Sequence, residues 1–225
     1  ARKRAQAEAQ ARTRQLESLH RIIEHSLAPQ TPEAIYQAIV EEIAKATGFP
    51  YVIIEHYDEE RGVMTFKAAT GLPLLFEVPL EETLSGLVVS SGRPLIESNA
   101  AGRAEHANPT LRDLDIASFV AVPMIVGQRV SGTLTLCDDQ HHEIGDDLLP
   151  WLESVANSIA SLSERMAAEE LLKRRNRLLE LMHDLTVAAN EAAAPEQAFR
   201  QFIGKICGHT GWPVGHVHLT MSGSN

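Results

Sequence analysis

The chain repeats itself, without gaps, at a separation of 163 residues, and this constrains its architecture more than any other feature. Arg12, Arg14, Leu16, Glu17 and His20 recur as Arg175, Arg177, Leu179, Glu180 and His183. Pro32, Glu33, Ile43, Thr47, Gly48 and Pro50 recur as Pro195, Glu196, Ile206, Thr210, Gly211 and Pro213. Between them the apolar character is kept: Tyr36 against Phe199, Ile39 against Phe202, Val40 against Ile203, Phe49 against Trp212. Such self-similarity marks a repeated structural unit and sets the domain count before finer reading. The first copy continues for about 110 residues beyond Pro50, the second for only 12 beyond Pro213. The pattern predicts one whole domain and the opening of a second. With a start at Ala1 rather than Met, it also predicts a longer parent protein.

Bulk properties narrow the class. A 44 % hydrophobic content over 225 residues suffices for a domain core with helical arms. No run of 18 apolar residues and no signal peptide is present, so no membrane span is expected. Cys137 and Cys207, outside any CxxC or zinc-finger spacing, point to a reducing cytoplasm. Residues 1–21 carry six basic and two acidic side chains, whereas residues 31–163 come out near −13. An acidic domain repels phosphate backbones, which excludes nucleic acid as its partner. The basic start reads as the solvated side of a helix. No GxxxxGK[ST], HExxH, GxSxG or GxGxxG pattern occurs, so no catalytic residues are expected.

Residues 1–27 read as one helix, with Leu16, Leu19 and Ile23 on a narrow apolar seam suited to a partner helix. Thr31-Pro32-Glu33 restarts a helix with a capping hydroxyl, a first-turn proline and an acid; Gly48 closes it. Strands are predicted at 51–57 and 63–70 around the turn Asp58-Glu59-Glu60-Arg61-Gly62. A short helix near 84–91 precedes a brief strand around Leu95, and Asn108-Pro109 caps another helix through Leu114. Residues 119–126 and 129–137 form a hairpin over Gly127-Gln128, with glycine where a type II′ turn wants positive φ. A closing helix starts near Asp146 and runs beyond Leu185. Leu148, Leu152, Val155, Ile159, Leu162 and Met166 keep 4-3 spacing and read as a dimer seam. The next seam residue, Leu171, comes five positions later, which predicts over- or unwinding of a coiled coil.

This order of elements, with three stretches, resembles the GAF domain family of small-molecule sensory modules. The stretches are Ala46-Thr47-Gly48-Phe49-Pro50; Gly86-Leu87-Val88 through Gly92-Arg93-Pro94-Leu95-Ile96; and Ser118-Phe119-Val120-Ala121-Val122-Pro123-Met124 before Gly132-Thr133-Leu134. The likeness covers roughly residues 20–165, and the segment 209–217 looks like the entry strand of a second such domain. It implies an α+β fold: a central antiparallel sheet, flanking helices, and long terminal coiled-coil signalling helices. The domains would be a signalling helix at 1–30, the sensory domain at 31–163, a connecting helix at 164–190 and an incomplete second domain at 191–225. It implies a cytoplasmic regulatory module of a bacterial two-component or diguanylate cyclase type protein, homodimeric through its helices. It would bind a small ligand between the sheet and the irregular segment, and would not itself be an enzyme. By position, Ser98, Asn99, Arg103, His106, Phe119, Thr133 and Thr135 are the candidate ligand contacts. The ligand stays unidentified. The bilin-binding subgroup needs a cysteine before the fourth strand, and the matching stretch from Ala104 to Phe119 has none, so a covalent bilin is not expected.

Two other clusters carry chemistry. Cys137-Asp138-Asp139-Gln140-His141-His142-Glu143 holds candidate metal ligands, but it sits on a turn where polar residues gather for solvation, and no metal is expected. His183-Asp184-Leu185 is similar to the phosphoacceptor segment of histidine kinases. A phosphoacceptor segment is therefore one alternative reading of the chain. A ligand-free structural dimerisation spacer is the other.

Overall fold

Val52, Ile53 and Ile54, and Leu134, Leu136 and Cys137, give their strands apolar side chains on both faces, which places them at the centre of a sheet. The computed structural model describes residues 31–72, 77–97, 116–142, 144–145 and 147–218. The chain divides into two compact units, Ala1–Glu164 and Arg165–Asn225. The first contains helix α1 (Pro32–Thr47), strands β1 (Tyr51–Asp58), β2 (Val63–Ala69) and β3 (Glu77–Pro79), a 3-10 turn (Leu80–Glu82) and helix α2 (Leu84–Ser91). Strands β4 (Leu95–Glu97), β5 (Ser118–Val126) and β6 (Arg129–Asp138) follow, then the start of helix α3 (Leu148–Glu191). All pairings are antiparallel, in the order β3-β2-β1-β6-β5-β4. Both edge strands are only three residues long. This is the α+β arrangement that the resemblance implied.

Local sequence explains the elements. Thr31 caps α1 by accepting the Ala34 amide at 3.3 Å, Pro32 needs no amide partner at the first position, and Gly48 ends the helix at φ 81°. Ile35, Tyr36, Ile39, Val40 and Ile43 are buried where α1 lies on β1 and β2. In the first hairpin Asp58 Oδ1 accepts the amides of Glu60 and Arg61, both at 3.1 Å. The two-residue loop Gly127-Gln128 joins β5 to β6, with Gly127 at the positive φ expected of it.

Strand alternation sorts the sheet into a front and a back. Val52, Ile54, Val120, Val122, Leu134 and Leu136 point to the back and are fully buried. From α3, Leu152, Val155 and Ile159 are 0 % exposed and Leu162 only 8 %. Their spacing alone predicts a seam facing a second chain, yet these four are already covered within their own unit. The physical reason is that a helix lying on a sheet needs the same one-sided stripe as a helix lying on a helix. Leu148 and Met166 are half-buried, and Leu16, Leu19 and Ile23 lie outside the described residues, as does the helix expected at 109–114. The α3 stretch is further held by Ser163. Its Oγ accepts from Tyr36 Oη at 2.8 Å, lies 3.2 Å from His56 Nε2, and donates to Ile159 O at 2.7 Å. Tyr36 and His56 meet edge to face, with centroids 5.5 Å apart. Burial, then the charge of Lys67, push the His56 pKa down to about 4.

In the second unit α3 continues unbroken to Glu191 and is followed by helix α4 (Pro195–Thr210). The repeat is visible atom by atom. Both α1 and α4 begin at proline and end at a left-handed glycine, Gly48 at φ 81° and Gly211 at φ 72°. Thr47 and Thr210 each turn their hydroxyl onto the carbonyl four residues back, at 2.8 Å in both copies. What differs is the cover. Ile43 is 0 % exposed and its counterpart Ile206 41 %, because no sheet lies over α4 among the described residues. For the same reason the segment 209–217, expected as an entry strand, forms none: its first two residues end α4 and the rest is irregular. The phase break after Met166 also finds its meaning: before it the apolar stripe is buried, after it Leu171, Leu172, Leu178, Leu179 and Met182 are more than half exposed.

Ile159→Ala is expected to lower the unfolding free energy by about 3 kcal/mol, as for a core truncation, and by the same amount on serial dilution in urea titrations. A loss that grows on dilution would return Ile159 to a seam between chains. His56 is neutral in the fold down to about pH 4, whereas the unfolded chain takes up its proton near 6.5. Stability is therefore lost as pH falls from 6.5 towards 4, by about 3 kcal/mol at the low end. Comparing the wild type with His56→Gln isolates this slope, which the variant lacks.

Candidate ligand-binding site

On the front of the sheet, facing α2, apolar residues surround one polar cluster. Ile53, Phe119, Ala121 and Cys137 from the strands meet Leu84 and Val88 from α2, with Tyr51, Phe66, Leu72 and Leu95 at the margin. Among them, register sets Glu55 opposite Thr133 and Ile53 opposite Thr135. Ser85 comes down from the first turn of α2, which Thr83 caps by accepting the Gly86 amide at 2.9 Å. Ser85 Oγ donates to Glu55 Oε2 at 2.5 Å, Thr133 Oγ1 donates to the same oxygen at 3.0 Å, and Thr135 Oγ1 lies 3.4 Å from Ser85 Oγ. Glu55, Ser85, Thr133 and Thr135 are all buried.

Burial raises the Glu55 pKa above the ordinary carboxyl value; the hydroxyls of Ser85, Thr133 and Thr135 pull against this without cancelling it. Among the described residues no cation is bonded to it, and its partners are hydroxyls. A buried carboxyl held by hydroxyls is costly to ionise and well suited to accept a further donor. Two close approaches shape its frame. A Cβ on Gly86 would sit 2.0 Å from Leu80 O, and one on Gly132 would sit 2.0 Å from Glu55 O, so only glycine lets α2 come this near the 3-10 turn and β6 this near β1.

Of the positions expected to contact a ligand, Phe119, Thr133 and Thr135 share this front face; Ser98, Asn99, Arg103 and His106 lie outside the described residues. Sequence reading passed over Glu55 and Ser85. The signal for Glu55 was there: an acid in the middle of Tyr-Val-Ile-Ile-Glu-His-Tyr, at an inward position of a buried strand.

Two further places offer less. An open groove of about 690 Å3 runs between the first hairpin and α2, past Val63, Pro79, Leu80 and Leu87. Its cation, Arg61, is already forked onto Glu77 through two bonds of 2.5 Å. Near the end of β6, burial pushes the Cys137 thiol well above its usual value and disfavours the thiolate. His142 hydrogen-bonds Asp138, stacks on Phe49 with centroids 4.3 Å apart, and gives its amide to Ser118 Oγ at 2.8 Å. These bonds tie the start of β5 to the segment leading into α3. No group of three or more candidate ligands stands ready for a metal among the described residues.

No curated protein matches the sequence. In fold, the chain is similar to the GAF domain of a Coxiella burnetii phosphoenolpyruvate-protein phosphotransferase, at 19 % identity and TM-score 0.64 over 71 % of this chain and 98 % of that one. It is similar to the GAF domain of an Acinetobacter phosphoenolpyruvate-protein phosphotransferase, at 20 % identity and TM-score 0.60 over 69 % and 96 %. It also resembles residues 122 to 287 of a methyl-accepting chemotaxis protein, at 18 % identity and TM-score 0.53 over 65 % and 94 %. The family model described as GAF domain matches residues 29–162, which takes in the whole described sheet, α1 and the sheet-covering turns of α3. The chain belongs to the GAF domain family.

Proposed function

We propose that the chain is the sensory and regulatory module of a cytoplasmic bacterial signal-transduction protein, of the histidine kinase or diguanylate cyclase type. It binds a small ligand at the front of the sheet and relays binding through helices that pair with those of a second copy. The module itself carries out no reaction. One observation carries this reading: the Glu55–Ser85–Thr133–Thr135 cluster inside an otherwise apolar face. A core built only for stability gains nothing from a carboxyl that must be desolvated. A carboxyl that accepts hydrogen bonds in a dry setting recognises a ligand presenting N–H, O–H or ammonium groups.

Several facts support the signalling context. The chain is a GAF domain, and proteins of like fold include a phosphotransferase and a chemotaxis protein. The leucines left exposed on α3 beyond Met166, at heptad distance from 171 to 178, suit a partner helix. No helix among the described residues is long and apolar enough to cross a membrane.

A ligand-free spacer is the second reading, favoured by the way Ile53, Leu84, Val88 and Phe119 fill the front face with the chain's own side chains. The phosphoacceptor alternative has less support. His183 is exposed on α3, but the adjacent Asp184 is taken by Lys205 at 2.8 Å rather than free to orient the imidazole.

Thermal melts against cyclic nucleotides, nitrate, carboxylates, haem and small primary amines separate the first two readings. The sensory reading expects one of these classes to raise the melting temperature by several degrees, and the rise to vanish in Glu55→Gln. No stabilisation by any class leaves the spacer.

A further inference from the structure

Strand geometry makes Glu55 and His56 neighbours in sequence and opposites in space. Glu55 reaches the front, where Ser85 and Thr133 bond it; His56 reaches the back, where it meets Ser163 on α3 and Tyr36 on α1. We propose that this dipeptide is a relay through the sheet: a change in the charge or hydrogen bonding of the Glu55 carboxyl is passed along β1 to the Ser163 anchor of α3. The inference rests on the sensory reading of the front face and adds to it the route by which occupancy leaves the site.

Three features fit a relay better than a passive contact. The first is stiffness towards β6. Gly132 stands opposite His56, and a Cβ on it would sit 2.9 Å from His56 Cα as well as 2.0 Å from Glu55 O. Two backbones this close cannot absorb a shift by local slack, so β6 moves with β1 or neither moves. The second is freedom towards β2. The β1–β2 ladder changes register between Ile54 and Glu55, leaving Lys67 without an opposite residue. A bulge interrupts the regular ladder on that side alone. The Glu55–His56 step is thus gripped on one flank and loosened on the other.

The third feature is that the anchor has two ways to bond. The Ser163 hydroxyl has one proton and two acceptors within reach, Ile159 O at 2.7 Å and His56 Nε2 at 3.2 Å. With the imidazole proton on Nε2, His56 donates to Ser163 and Ser163 donates to Ile159. With that proton on Nδ1, Ser163 turns to His56 and releases the helix carbonyl. Tyr36 Oη donates to Ser163 in both arrangements. Burial keeps His56 neutral at ordinary pH, so the choice between tautomers is open there. Signal transfer requires an element with two arrangements that a distant change can bias, and this triad supplies one.

The test needs no ligand, so it stands apart from whether any compound binds. In the full chain, Glu55→Gln keeps the shape of the side chain and removes its titration. Amide exchange of residues 160–166 is expected to quicken at least fivefold, and the 15N shifts of His56 to report a changed tautomer ratio. In a Ser163→Ala background the same Glu55→Gln change should alter exchange less than twofold. Ser85→Ala, which removes one donor and leaves the carboxyl, serves as a milder second probe with the same expected pattern. Equal quickening with and without Ser163, as general destabilisation would give, overturns the relay. So does an unchanged His56 tautomer when either front-face variant is made.

Discussion

The two central strands, β1 and β6, are buried on both faces, and most of the molecule follows from that requirement. A strand between two neighbours satisfies its backbone laterally, but its side chains need cover above and below. The back is closed by α1 and the first turns of α3, with isoleucines, valines and leucines wholly out of water. At roughly 1.5–3 kcal/mol for each fully buried side chain of this kind, that layer outweighs any single polar contact in the fold. The front is closed by the short helix α2, and there the cover includes polar groups. The two faces thus differ in their polar groups: hydroxyls and an imidazole at one margin of the back, a carboxyl with three hydroxyls at the centre of the front.

The back also explains the double character of α3. Its first four turns act as a structural member of the domain, pinned by Ser163 to Tyr36 and His56. Beyond Met166 the same helix presents leucines to solvent, with the ion pairs Arg165–Glu169 and Glu170–Arg177 beside them. One unbroken helix therefore serves first as core and then as a surface. The change of phase between Met166 and Leu171 is the sequence mark of that change of duty.

Much of this was legible beforehand because the signals are local. Thr31-Pro32 and Gly48 bound α1, and Gly127 fixes the second hairpin. The repeat foretold that Thr210 and Gly211 would close a second helix in the manner of Thr47 and Gly48. What escaped was non-local. The stripe from Leu152 to Leu162 reads alike whether a sheet or a helix covers it, so spacing could not name the partner. Glu55 escaped because its role depends on Thr133, 78 residues away, and on Ser85, 30 residues away. Strand register brings the first and the α2 cap the second. The missing entry strand after Pro213 follows from the same non-locality, for a strand needs neighbours and not only its own residues.

The sheet ends on both sides in strands of three residues, β3 carrying Pro79 and β4 following Pro94. So little free backbone, with proline at or beside it, gives a foreign strand almost nothing to zip onto. Among the described residues, lateral growth into sheet-bridged aggregates therefore finds little purchase at either rim.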